Sequence, residues 1–351
     1  MMTSEMKQRY NEFWACVNDS AIMYLTARVN ATDTEEGAAA DPVKKWTDLD
    51  YRLNEVNKEL PKTIYYGDGF PGVFTNFGPG SIAACIGGSF IPAEDTVWFD
   101  HNPIITDWDN PPTVEFDPNS EMWRLTDTYT KMLCQNADGR YCTSIADLGF
   151  ATDIIASLRG TQELLFDLYD NPEQVLALTE KLRPIWKRLY TLVADILFKY
   201  QDGMTSWLPI WCGERYYPLQ CDFSAMMSPD MFGEFVMPEL RDATEFLDRS
   251  VYHLDGPDAI VHLEHLLSLP RLSAIQWSPG AGNPEVFDEA WVPMYEKIQA
   301  AGKGLVLMGE LTNIGEVEKI LRKLSPKGLF VCGEVADEAH AKHLIDFSKK
   351  K

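Results

Sequence analysis

From residue 143 onward the chain alternates short β-type runs with amphipathic helical stretches, and this alternation limits the fold more than any other feature. The strand candidates are residues 143–147, 204–209, 220–226, 251–255, 272–277, 304–309 and 329–332. The helices between them span 163–169, 172–199, 229–247, 258–269, 284–300, 314–324 and 336–347. Asn171-Pro172-Glu173, Ser228-Pro229-Asp230 and Asn283-Pro284-Glu285 each set a capping side chain ahead of a proline, whose missing N–H has no helical partner to lose. Seven βα units, with one more strand at residues 64–66, make eight, so the expected fold is α/β: a (β/α)8 TIM barrel.

Residues 1–60 read as two helical stretches, 5–25 and 43–60, around a polar segment at 30–41, which gives an N-terminal helical extension ahead of a barrel over 61–351. Residues 65–118 are rich in Gly, Pro and aromatics and predict punctuated loops of the kind that wrap a pocket.

Lys plus Arg number 31 against 53 Asp plus Glu, a formal charge of -22 that repels phosphate backbones and anionic headgroups. Nucleic acid and membrane surfaces are therefore excluded as expected partners. The N-terminal MMTSEMKQRYNEF lacks the basic-then-apolar order of a secretory signal, which points to a cytoplasmic protein. Seven cysteines, scattered and without a CxxC pair, argue against a disulfide framework and leave each as an apolar residue or a ligand.

Three motifs are set aside. Gly67-Asp68-Gly69-Phe70-Pro71-Gly72 spells GxGxxG, but no helix start follows and Pro71 stiffens the loop, so a plain turn is expected instead of a nucleotide cradle. His262 and His265, like His340 and His343, sit three apart on predicted helices, and the apolar stripe of each helix places them toward solvent. His101, in FDHNP, reads as a loop histidine.

His253-Leu254-Asp255 ends a predicted strand, and period-2 geometry turns His253 and Asp255 to the same side. In a barrel all carboxy-terminal strand ends share one rim, so Asp222, His253, Asp255, Gln276, Glu310 and Cys332 should face one cavity. Imidazole, carboxylate and thiolate together suit zinc, with Cys332 the soft ligand. The alternative is that Cys332 is core, Asp255 a helix cap and His253 a hydrogen-bonded pocket histidine. Trp207, Trp211, Tyr217, Gln276 and Trp277 lie near predicted strand ends and are the candidate substrate-binding residues; aromatic walls favour a flat ring, a sugar face or a methylated cation. Core filling is the competing reading for the tryptophans.

Residues 149–182, 219–240, 251–270 and 307–335, the last ending in FVCGEV, resemble the uroporphyrinogen decarboxylase superfamily, closest in site pattern to its zinc-dependent corrinoid methyltransferases. The resemblance implies zinc bound through a His-x-Cys pair and a second Cys near the last strand. His253 and Cys332 match the outer ligands, and Asp255 stands where the first Cys belongs. Glu310, by position at the preceding strand end, is a candidate catalytic group or fourth ligand, and Asp222 a candidate for orienting substrate or taking a proton. The implied reaction is methyl transfer between a small substrate, or a thiol or folate acceptor, and a corrinoid supplied by a partner protein. The decarboxylase branch is the runner-up: its arginine-bearing M-R-Q-A-G-R segment is absent here, and the N-terminal arginines are isolated. A zinc-dependent hydrolase or lyase on the same barrel is the third reading, and a non-catalytic binder that has lost the metal the fourth.

Overall fold

A computed structural model describes residues 2–29, 41–99 and 102–350; His101 lies outside the described residues. Its centre is a seven-stranded sheet. The strands are β1 (Ile22–Arg28), β2 (Thr63–Gly67), β3 (Gly72–Val73), β4 (Ile91–Pro92), β5 (Val97–Trp98), β6 (Cys142–Thr143), β7 (Tyr216–Gln220), β8 (Arg249–Asp255), β9 (Ala274–Ser278), β10 (Gly304–Met308) and β11 (Leu329–Glu334). The order is β2-β1-β11-β10-β9-β8-β7, with every pairing parallel except β1 with β2.

The α/β expectation holds, but the ladder does not close into an eight-stranded barrel. Between β1 and β7 the wall is an arc of short pieces: the two-residue pair β3–β6, a bond from Ile145 N–H to Thr205 O at 2.9 Å, and an antiparallel bridge between Met204 and Cys212. The runs at 143–147 and 204–209 look like strands by composition, yet local turns consume their backbone. Asp147 Oδ1 accepts the N–H of Gly149, whose φ is +70°, and Ser206 Oγ accepts the N–H of Leu208. The expected eighth strand at 64–66 lies within β2, antiparallel on the outer edge of β1, and is not a barrel stave.

The first expected helix, 5–25, ends at Trp14; Ser4–Trp14 is the helix, and Ile22–Arg28 is β1, inside the sheet between β2 and β11. IMYLTA is apolar without alternation because both faces of β1 are covered, so periodicity alone does not separate it from a helix. The turn between them is fixed by Asn18, whose amide donates to Ser20 O and Pro326 O and whose oxygen accepts from Gly328 N–H.

The helices pack outside the sheet and follow expectation closely at Pro172–Tyr200, Ile314–Lys323 and Glu338–Ser348. Residues 229–246 form one helical run with a π turn at Phe232–Val236, next to Pro238, which has no N–H to donate. Of the three proline-led caps only Ser228 works as drawn, accepting from Met231 N–H; Asn171 donates to Asp167 and Asn283 to Pro279 O, and no helix begins until Glu289–Trp291. The expected strand over 220–226 stops at Gln220 and continues as a 3₁₀ turn, Asp222–Met226. The GxGxxG segment is a turn, as expected: Asp68 is buried, bonded by Arg9 Nη2 at 3.0 Å and by Met23 N–H at 2.8 Å, and so joins the first helix to β1.

Candidate metal centre

Parallel register sets the site. Gln220, His253, Gln276, Val306, Phe330 and Ile22 are partners across β7, β8, β9, β10, β11 and β1, so their side chains share one face. The next layer toward the carboxy-terminal ends holds Asp255 with Ser278, and Met308 with Cys332 and Tyr24. His253 and Asp255 project to the same side, as their spacing predicts. Asp222, at the start of the turn after β7, joins them: one ligand atom from each of Asp222, His253 and Asp255 lies within 4.8 Å of the others.

Asp222 and His253 are each held from behind. The N–H groups of Asp222 and Phe223 donate to the two carboxylate oxygens of Asp153, each at 3.0 Å, which fixes the turn that carries Asp222. Asp153 itself stands in the first turn of helix Ala151–Arg159. His253 Nδ1 faces Gln276 Oε1, and Gln276 Nε2 donates to Trp277 O at 3.0 Å. That second bond orients the amide so that its oxygen meets the imidazole, which calls for a proton on Nδ1 and leaves Nε2 with a free lone pair. The Trp207 ring stands nearly perpendicular to the His253 ring, centroids 5.1 Å apart, and limits its rotation.

Acidic groups crowd the site. Burial first, then the charge of Asp222, pushes the Asp153 carboxyl up to about 7. Asp222 is raised by burial and by Asp255, against the opposing pull of His253. Asp147 is raised by burial while accepting from Gly149 N–H and the Tyr217 hydroxyl. Burial lifts Glu239, bonded to Thr152, to about 8. Like charges gathered in this way favour a cation among them.

The structure sorts the expected residues. Cys332 is buried, its thiol pushed up to about 12 by burial, and it sits three strands from β8 beside Tyr24; it is not in the group with His253 and Asp255. Glu310 follows β10, exposed and likewise outside the group. Trp211 is buried at the other end of the chain's fold, where its carbonyl accepts from Trp14 and its ring meets Tyr10, so it does not line this site. Trp277 is fully buried on the opposite sheet face, against Trp291 with centroids 4.9 Å apart. Tyr217 is buried too, donating to Asp147 and accepting from Leu148 N–H, which makes it a brace beneath the site. Gln276 and Trp207 do reach the centre, through His253. His262, expected at the surface, is buried with its ring stacked on Phe232 at 4.2 Å and Nε2 on Ser224 O, because Pro257–His262 winds as a 3₁₀ helix and shifts the phase of the apolar stripe. His265 is half-buried, whereas His343 is exposed and paired with Glu318.

Two residues at the site escaped the sequence reading, Asp153 and Gln220. Gln220 was accessible to the parity argument used for His253 and Asp255, since it precedes Asp222 by two. Asp153 carried only a weak signal, an acid in the first turn of a helix.

A cavity of about 300 Å³ opens beside Asp222, lined by Asp153, Gln220, Phe223, Phe99, Trp98 and small residues. A larger one, about 720 Å³, lies among Lys7, Phe70, Arg140, Tyr200 and Trp211. It holds none of the three candidate ligands, whereas the smaller cavity holds Asp222.

No protein-family model matches the chain. No curated protein matches it either. Among solved structures the fold is similar to a methyltransferase from Methanosarcina mazei, with a TM-score of 0.60 over 98% of each chain at 11% sequence identity. At that identity the likeness is one of fold.

Two carboxylates and one imidazole fit a divalent cation: three protein ligands leave positions open, as catalytic sites do. The donor set is harder than one with a thiolate, and it accommodates zinc, manganese or ferrous iron.

Proposed function

We propose that the protein is a metal-dependent methyltransferase, its ion held by Asp222, His253 and Asp255, that exchanges a methyl group between a small substrate and a corrinoid carried by a partner protein. The observation that carries this reading is the Asp-His-Asp group at the carboxy-terminal ends of β7 and β8, in a chain whose fold follows a methyltransferase end to end. A bound zinc ion would supply Lewis acidity toward the heteroatom that gains or loses the methyl group. The chain's own residues do the rest. Gln276 keeps His253 in the ligating tautomer, Asp153 holds the turn that presents Asp222, and the cavity beside Asp222 receives the substrate. Among the described residues no Lys, Arg or His lines that cavity, which speaks against the polycarboxylate ligand of a uroporphyrinogen decarboxylase.

A metal-dependent hydrolase or lyase is the second reading, favoured by a ligand set of oxygen and nitrogen without sulfur. Metal analysis of protein purified without chelator, followed by an assay with methylcobalamin and small thiols, separates the two. About one zinc ion per chain and loss of methylcobalamin absorbance, both abolished in His253→Ala, support methyl transfer. A bound ion with no methyl exchange in either direction moves the assignment to the hydrolase or lyase, and protein that binds no divalent ion overturns both.

A further inference from the structure

The cavity beside Asp222 has an unusual balance of groups. Its walls are apolar and aromatic, with Val97, Phe99 and Phe223 all buried, and its charged residues are both acidic, Asp153 and Asp222. Gln220 is 7% exposed, shares the His253 face of the sheet, and lines the cavity, yet its side-chain amide makes no hydrogen bond to any described residue. That amide opens onto the cavity, where a polar group of a ligand can pair with it. With a divalent ion on Asp222, His253 and Asp255, the two ligating carboxylates balance the ion, and Asp153, its oxygens held by the N–H groups of Asp222 and Phe223, is the remaining carboxyl group of the lining.

From this we infer that the cavity takes a compact organic cation, an ammonium centre clothed in methyl groups with a polar hydroxyl or carbonyl nearby. Aromatic faces and a carboxylate attract such a cation without donating hydrogen bonds it cannot accept, and Gln220 pairs with the polar group. Anionic substrates are refused because the described lining residues offer them no positive charge. The inference rests on the methyltransferase reading for the cavity's role but is tested by binding alone.

The test is calorimetric titration of the zinc-loaded protein at pH 8 with three probes of nearly one shape: choline, its neutral carbon isostere 3,3-dimethylbutan-1-ol, and the anion 3,3-dimethylbutyrate. Choline is expected to bind at least about tenfold more tightly than the neutral isostere, and the anion not measurably. Asp153→Asn should remove most of the preference for choline over the isostere, and Gln220→Leu should weaken both while keeping the preference. Equal affinity for choline and its isostere, or tighter binding of the anion, overturns the inference even if the Asp153 variant fails to fold. Choline-selective binding without any methyl exchange would keep this inference and sink the methyltransferase reading; methyl exchange from uncharged donors by a protein indifferent to choline would do the reverse.

Discussion

At the scale of single residues the site depends on which imidazole nitrogen is free. Gln276 settles this through a chain of two bonds, from Trp277 O through its own amide to His253 Nδ1. Replacing Gln276 by Leu removes the acceptor without adding charge, and metal affinity measured by chelator competition should fall about tenfold or more, the usual penalty for losing an outer partner of a ligating histidine. Gln276→Glu keeps an acceptor and should retain most of the affinity. Equal affinities in all three proteins would show that the amide merely fills space. Cys332 gives the opposite expectation. Because it lies beside Tyr24 with a thiol held protonated by burial, Cys332→Ala should leave ion occupancy unchanged; loss of the ion in that variant would return Cys332 to the ligand set and open the triad.

At the scale of elements, helix Met237–Phe246 meets helix Ala151–Arg159 through a buried pair, Glu239 accepting from the Thr152 hydroxyl at 2.9 Å while its second oxygen has no partner. Burial raises this carboxyl from 4.5 to about 8, so the folded protein holds a proton near neutrality that the unfolded chain has released. Its contribution is complete below about pH 4.5 and is lost as pH rises through 8, at a slope approaching about 1.4 kcal/mol per pH unit. Glu239→Gln removes the titration. Its melting temperature should exceed that of the parent protein at pH 8.5 and converge with it at pH 5; a constant gap across that range would refute the buried-proton account. The elements also show what periodicity can reveal. β8, β9, β10 and β11 were legible because each is a short apolar run with a Gly, Pro or Asp at or just past its end, and β10 and β11 are followed by regular helices. β1 was not, since covering both faces erases alternation, and His262 was misplaced because a 3₁₀ turn repeats every three residues while the stripe was read at 3.6. For the same reason of local geometry, two of the three candidate ligands could be placed by strand parity, whereas the third position went to Cys332: sequence gives the height of a residue in the sheet but not how far around it lies.

At the scale of the whole molecule the sheet is unequal. From β7 to β11 and on to β1 every neighbour pair carries a ladder of four or more registered residues, whereas the arc between β1 and β7 rests on two-residue strands and single bonds. The candidate metal centre spans the two regions. His253 and Asp255 stand on the continuous part, but Asp222 sits on a turn whose backbone is held by Asp153, beyond the arc. Local opening should therefore begin in the arc, where few ladder bonds must break together. By hydrogen exchange with mass spectrometry, amides of residues 71–75 and 142–148 should exchange well before those of β8, β9 and β10. Adding zinc should then slow exchange mainly at residues 221–226, because the ion ties the ligand carried on a turn to two carried on a strand. Protection that spreads evenly over the sheet, or appears around Cys332 and leaves residues 221–226 unchanged, would mean that the ion is held by a different set of side chains.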